Sequence, residues 1–159
     1  MEKRATWDEY FMQVVDAVAE RGTCDRGKSG SIIVVDKRIV ATGYVGSPAG
    51  LSHCDEAGHL MREVLDEQGN KSMHCVRTIH AEENAILQAA KYGTAINGGV
   101  IYCKMVPCFN CAKMIVNVGI KRVVTKKRYH ADGLSVELFK SAGIELVVLE
   151  NEVEKYDKQ

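Results

Sequence analysis

Apolar positions first take on a helical rhythm just after Thr6. Thr6-Trp7-Asp8-Glu9 has the form of a capping box, a Thr cap with Glu three residues on. Phe11, Val14, Val15 and Val18 then recur at intervals of three and four, which predicts an amphipathic helix over 7–21, stopped by Gly22. The period then shortens. Residues 31–36 (SIIVVD) and 39–44 (IVATGY) are β-rich runs on either side of Lys37-Arg38, a spacing that predicts an antiparallel hairpin although Lys-Arg is not a favoured turn pair. Gly46-Ser47-Pro48-Ala49-Gly50 reads as a loop. Residues 51–79 show no clear period; a short helix near 56–66 is the reading they support, with the rest irregular. From residue 80 the pattern is regular: helix over about 81–92, strand 100–104, helix about 108–118, strand 122–126, helix 134–142 and strand 145–149, with Gly93, Gly119 and Gly143 as stops. Strands alternating with helices imply parallel pairing. The expected fold is α/β: a mixed five-stranded sheet, an antiparallel hairpin then a parallel β-α-β-α-β half, flanked by helices. The tail from Asn151 is polar and expected to fray.

Composition narrows this picture. The 159 residues fit one domain spanning 1–159, with a core of about 5–150. Lys and Arg number 21 and Asp and Glu 21, so the net charge is zero and nothing in the bulk charge supports nucleic-acid binding. No window approaches the roughly 18 apolar residues of a membrane span. Met1-Glu2-Lys3-Arg4 leads into an acid-containing amphipathic stretch instead of an apolar signal core, so a cytoplasmic location is expected. Six cysteines in such a chain point to reduced thiols or metal ligands instead of a disulfide framework.

The chemistry concentrates in His80-Ala81-Glu82 and Pro107-Cys108-Phe109-Asn110-Cys111. Cys-x2-Cys at a helix start brings two thiols within reach of one metal. Free N–H groups and a partial positive charge at that end favour thiolates. His80 also precedes a predicted helix. One His and two Cys make three ligands, and a zinc site with an open fourth position is catalytic: it lowers the pKa of bound water toward neutrality. Glu82, two residues from His80, is placed to carry protons instead of sharing the metal. For Cys108 and Cys111 alone, a core or redox role is the alternative.

These two motifs are the signature of zinc nucleobase deaminases. With Gly43-Tyr44-Val45-Gly46-Ser47-Pro48-Ala49-Gly50 and His74-Cys75-Val76-Arg77-Thr78, the chain resembles the deoxycytidylate (dCMP) deaminases of the cytidine/deoxycytidylate deaminase superfamily over roughly residues 5–150. The resemblance implies a cytidine-deaminase-like layered domain and hydrolytic loss of ammonia from cytosine C4, giving dUMP. Glu82 is then the catalytic proton carrier and His80, Cys108 and Cys111 hold catalytic Zn2+. It also implies a homohexamer, dCTP and dTTP as effectors (with Mg2+ accompanying the triphosphate) and no nucleic-acid or membrane partner. In one respect the sequence departs: the loop commonly reads Gly-Tyr-Asn-Gly in that family, and Val45 replaces the Asn. Valine cannot hydrogen-bond a sugar or base. Asn84 becomes a candidate substrate contact, with a capping or surface role as the alternative; Ala81 and Tyr129 are further substrate candidates, Tyr129 by stacking beside the basic run 126–128. Other readings are a tRNA adenosine deaminase, a deaminase of another small base or nucleoside, and a non-catalytic zinc-stabilised binding module, against which Glu82 counts.

A second group remains: Cys24, Cys54, His59, His74 and Cys75. Some dCMP deaminases carry a second zinc in this region. Five candidates exceed the four ligands of one tetrahedral ion, and buried thiols with surface histidines are the alternative. Zinc would hold the long segment 45–79, which otherwise has little to order it. Arg26, Lys28 and Ser47 are candidates for the effector site that the resemblance implies, with solvated surface charge as the alternative. Cys103 reads as core.

Overall fold

A computed structural model describes residues 3–65 and 69–156. In chain order the elements are α1 (Trp7–Ala19), β1 (Gly30–Val35), β2 (Arg38–Tyr44), α2 (Cys54–Ala57), β3 (Met61–Leu65), β4 (Lys71–Cys75), α3 (Ala81–Lys91), β5 (Val100–Met105), α4 (Phe109–Asn117), β6 (Arg122–Lys127), α5 (Gly133–Ser141) and β7 (Glu145–Val148). The main sheet runs β2-β1-β5-β6-β7. β1 is antiparallel to both β2 and β5, and β5, β6 and β7 are parallel. The five-stranded mixed sheet expected from the sequence is therefore present.

Alternation along the strands makes three layers, because successive side chains leave a strand on opposite faces. Ile32, Val34, Tyr102 and Val124 point toward α1 and meet Phe11, Met12 and Val15. Ile33, Ile101, Cys103 and Val123 point the other way and meet Ala85, Ile115 and Phe139 from α3, α4 and α5. Fully burying each of these aliphatic side chains contributes about 1.5–3 kcal/mol. The Thr6–Glu9 capping box forms: the Thr6 hydroxyl accepts from the Glu9 N–H at 3.2 Å, and the Glu9 carboxylate accepts from the Thr6 N–H at 2.6 Å.

One glycine fixes how closely α3 lies on the sheet. A Cβ on Gly43 would stand 2.2 Å from the Ala81 carbonyl oxygen and 2.3 Å from the Ala85 nitrogen. Both are backbone atoms that cannot step aside. Gly43→Ala is expected to cost about 3 kcal/mol of stability or more. Thermal melting of the variant checks this.

Three expectations give way. The β1–β2 turn is Asp36-Lys37, not Lys37-Arg38, and both residues have positive φ (48° and 60°), the backbone of a two-residue hairpin turn matched to strand twist. The helix expected near 56–66 is absent. In its place α2 makes a single turn, and β3 and β4 form a separate two-stranded antiparallel sheet with Met61 opposite Cys75 and Leu65 opposite Lys71. Much of this hairpin is exposed, so no apolar alternation marks it; residues 66–68 lie outside the described residues. The segment 151–156 does not fray: the Arg128 N–H donates to the Glu152 carbonyl at 2.7 Å, and the Glu154 N–H to the Arg128 carbonyl at 2.9 Å. No helix among the described residues is long and apolar enough to cross a membrane.

Candidate active site and second metal cluster

Two helix starts meet beside the end of β5. His80 caps α3, and the Ile79 N–H donates to the Gly46 carbonyl at 3.0 Å, which pins that start just past the end of β2. Cys108 caps α4, directly after the buried Pro107. α3 thus follows a segment from the small sheet and not a parallel strand of the main one. The His80 Nδ1 lies 3.4 Å from the Cys108 Sγ and 3.4 Å from the Cys111 Sγ. All three donor atoms lie within 4.8 Å of one another.

The electrostatics of this group are those of a cation site. The Cys111 thiol, bonded to the Cys108 sulfur, is the main reason Cys108 is held down to about 4, against burial and with help from His80. Cys111 is pushed up, first by the Cys108 sulfur and then by burial. The Cys108 sulfur in turn raises the His80 imidazole to about 9, against burial. An imidazole and two thiols make a donor set that suits zinc.

Glu82 lies in the first turn of α3 with only 5% of its surface exposed. Burial pushes its carboxyl up, and the neighbouring His80 opposes that. His80, Ala81, Glu82 and Cys108 line one cavity of about 360 Å³, with Val45, Thr78, Pro107 and Tyr129 around them. Arg26, His74 and His130 line the same cavity; burial pushes the His74 imidazole down, so the fixed positive charge on this wall is the Arg26 guanidinium. Cys103, buried at the end of β5, is near enough to Glu82 that the carboxylate raises its thiol, after burial itself.

The second group also assembles, with one member fewer. Cys24, Cys54, His59 and Cys75 bring their donor atoms within 4.8 Å of one another. The Cys24 Sγ is 3.7 Å from the His59 Nδ1, and the Cys54 Sγ is 3.6 Å from the Cys75 Sγ. The His59 Nε2 is 3.0 Å from an Asp25 carboxylate oxygen, the outer partner that orients a ligating imidazole. Burial pushes Cys54 up to about 12. Burial pushes Cys75 up too, but the Arg77 N–H, the His59 ring and the Leu60 N–H outweigh it and hold the thiol at about 7. His74 is not in this group. It neighbours Cys75 on β4, so the pleat sends the two side chains to opposite faces. The His74 Nε2 sits 3.0 Å from the Ser72 Oγ, and the ring faces the cavity.

Other sequence-predicted residues are placed elsewhere. The Asn84 Nδ2 donates to the Tyr44 carbonyl at 2.9 Å and its Oδ1 accepts from Gln88 at 3.2 Å, so it ties α3 to β2 and is not on the cavity wall. Arg26, Lys28 and Ser47 do not converge. Arg26 lines the cavity and donates to the Met73 carbonyl; the Lys28 carbonyl accepts from Lys104; the Ser47 hydroxyl is buried without a partner among the described residues. The basic run is neutralised internally, Lys126 by Asp16 at 2.8 Å and Arg128 by Asp132 through two bonds, while Lys127 stands 3.8 Å from Glu152. Sequence reasoning missed the cavity roles of His74, His130 and Tyr156. Only the nearness of His74 to a motif offered any signal.

A layered α/β fold with an imidazole, two thiols and a buried glutamate at two helix starts has the three-donor arrangement of a catalytic zinc site. The sequence profile of the cytidine and deoxycytidylate deaminase zinc-binding region matches residues 5–127. The chain is 44% identical over 142 residues to ComE operon protein 2 of Bacillus subtilis, covering 89% of this chain and 70% of that protein. It is 35% identical over 143 residues to the deoxycytidylate deaminase of Schizosaccharomyces pombe, covering 90% of this chain but only 44% of the yeast protein. The solved dCMP deaminase of cyanophage S-TIM5, in complex with dCMP and dUMP, superposes with a TM-score of 0.72 at 28% identity, over 91% of this chain and 98% of the phage chain. The protein belongs to the cytidine and deoxycytidylate deaminase family.

Proposed function

We propose that the protein converts dCMP and water to dUMP and ammonia, with His80, Cys108 and Cys111 holding the zinc and Glu82 moving the protons. The observation that carries this reading is the three-donor group beside a buried carboxylate at one end of a nucleotide-sized cavity. When bound, zinc supplies the Lewis acidity that brings a water to the point of ionisation near neutral pH. Glu82 takes one proton from the attacking water and delivers it to ring N3, then takes the second from the new C4 hydroxyl and passes it to the amine, which departs as ammonia as the C4–N bond breaks and the C4 carbonyl forms. Burial favours a carboxyl that holds a proton between those transfers. Ala81 forms part of the floor, and Tyr129, whose ring is 4.3 Å from that of His130, flanks the base.

The Arg26 guanidinium on the cavity wall favours a phosphorylated substrate over a nucleoside. The named activities of the yeast and phage relatives support the same substrate. A second zinc on Cys24, Cys54, His59 and Cys75 fits this reading as the clasp of segment 45–79. Family resemblance supports a cytoplasmic homohexamer that answers to dCTP and dTTP with Mg2+; Lys28 and Ser47 remain candidates for that effector site.

The test is ammonia release from dCMP, dCTP, cytidine and an adenosine-containing tRNA hairpin. Turnover of dCMP well above the others is the expected result. Turnover on the hairpin alone overturns the substrate, and none on any of the four overturns the enzymatic reading.

A further inference from the structure

The C-terminal segment forms part of the cavity wall. Beyond β7 the Leu149 and Glu150 N–H groups donate to the Thr125 and Lys126 carbonyls at 2.9 and 2.8 Å, which prolongs the strand. The Glu152 N–H then donates back to the Glu150 carbonyl at 2.7 Å and the chain turns. A parallel bridge between Arg128 and Val153 holds the next stretch along the far end of β6. Three residues later Tyr156 reaches the cavity. It lies beyond the carboxyl ends of the parallel strands, where open α/β sheets receive their ligands.

The ring is well fixed and its hydroxyl is poorly served. The Lys104 Nζ stands 5.2 Å from the ring centroid, and the Lys104 ammonium also donates to the Lys28 carbonyl at 3.1 Å. A Cβ on Gly27 would stand 3.9 Å from the ring, so the loop after α1 packs close to it. The hydroxyl points to the Met105 Sδ at 3.6 Å. A thioether is a weak acceptor, and the Tyr156 phenol is half-buried. Burial raises the pKa of this phenol, with Glu154, Glu82 and Tyr129 adding to it, so it stays a donor at neutral pH and senses Glu82 across the cavity.

We propose that Tyr156 contacts the substrate: on binding, its hydroxyl leaves the Met105 sulfur and donates to an oxygen of the sugar–phosphate part of the nucleotide. Gly27 stands against the Tyr156 ring, and Arg26 and Ser29, near it in sequence, line the same cavity as His80, Glu82 and Cys108; with the base at the metal group, the sugar–phosphate is left to these residues and Tyr156. The inference rests on the deaminase reading above.

Tyr156→Phe keeps the ring and its Lys104 contact and removes only the hydroxyl. A hydrogen bond to a charged acceptor is worth enough that KM for dCMP is expected to rise about tenfold. kcat should stay within about threefold and the melting temperature should not move. A chain ending at Glu150 removes the whole wall; its KM should rise further while its zinc content is unchanged. Wild-type KM in both variants overturns the inference and leaves the deaminase reading standing. Wild-type protein that turns over none of the four test substrates overturns the deaminase reading, and this inference with it.

Discussion

Glu82→Gln is expected to keep the zinc and lower turnover of dCMP by about a thousandfold, the span that one well-placed proton carrier contributes. Three observations set this up. Glu82 is buried at the start of α3, two residues from His80, and so turns away from the donor group while remaining beside it. The amide of glutamine matches the carboxyl in shape, so the packing around Ala81 and Ala85 is undisturbed. It cannot, however, exchange a proton with water, N3 or the amine. Ammonia release and metal analysis on one preparation separate the two effects. Loss of zinc along with activity would make Glu82 a ligand; near-normal turnover would give the proton work to another group.

Cys54→Ser is expected to lower the zinc from about two ions per chain to about one and to loosen the β3–β4 hairpin. Cys54 is chosen because it is buried at the start of α2 and does not line the cavity. Its loss therefore tests the clasp without cutting into the substrate wall. Structural zinc contributes folding energy directly, and a loss of about 3 kcal/mol corresponds to a melting temperature lower by about 6–12 °C for a chain of this size. Activity should fall as well, because Ser72, Met73, His74 and Cys75 of β4 carry part of the cavity. Hydrogen exchange over 54–75 reads the loosening directly. Unchanged zinc, melting and exchange would reduce the four residues to buried thiols and a histidine paired with Asp25.

The parts of this molecule that sequence reasoning recovered are those where local chemistry and packing agree. The α1 cap, the strands on both faces of the sheet and the helix stops at Gly93, Gly119 and Gly143 each follow from a period or a residue type, and the structure keeps them. So does the meeting of His80 with Cys108 and Cys111, since helix starts that present thiols and an imidazole have few other uses. What failed was long-range or surface-bound. The β3–β4 hairpin is solvated on much of its surface and leaves no alternating pattern. His74 and Cys75 are adjacent in sequence and both line the cavity, yet only Cys75 joins the clasp. Asn84, a candidate substrate contact from its motif, bonds to the Tyr44 carbonyl and to Gln88, a pairing its motif does not signal. Tyr156 lies in a polar tail with no period, and the pairing of 152–154 with Arg128 brings it to the cavity.

The account stands on a metal held by three side chains with one corner left open. Diffraction from crystals of the zinc-loaded protein, with the anomalous signal measured at the zinc edge, tests that most directly. The prediction is a peak between the His80 Nδ1 and the sulfurs of Cys108 and Cys111, with solvent as its remaining neighbour and the Glu82 carboxyl facing that solvent. An ion closed off by a fourth protein side chain, or no peak among these three residues, would contradict it.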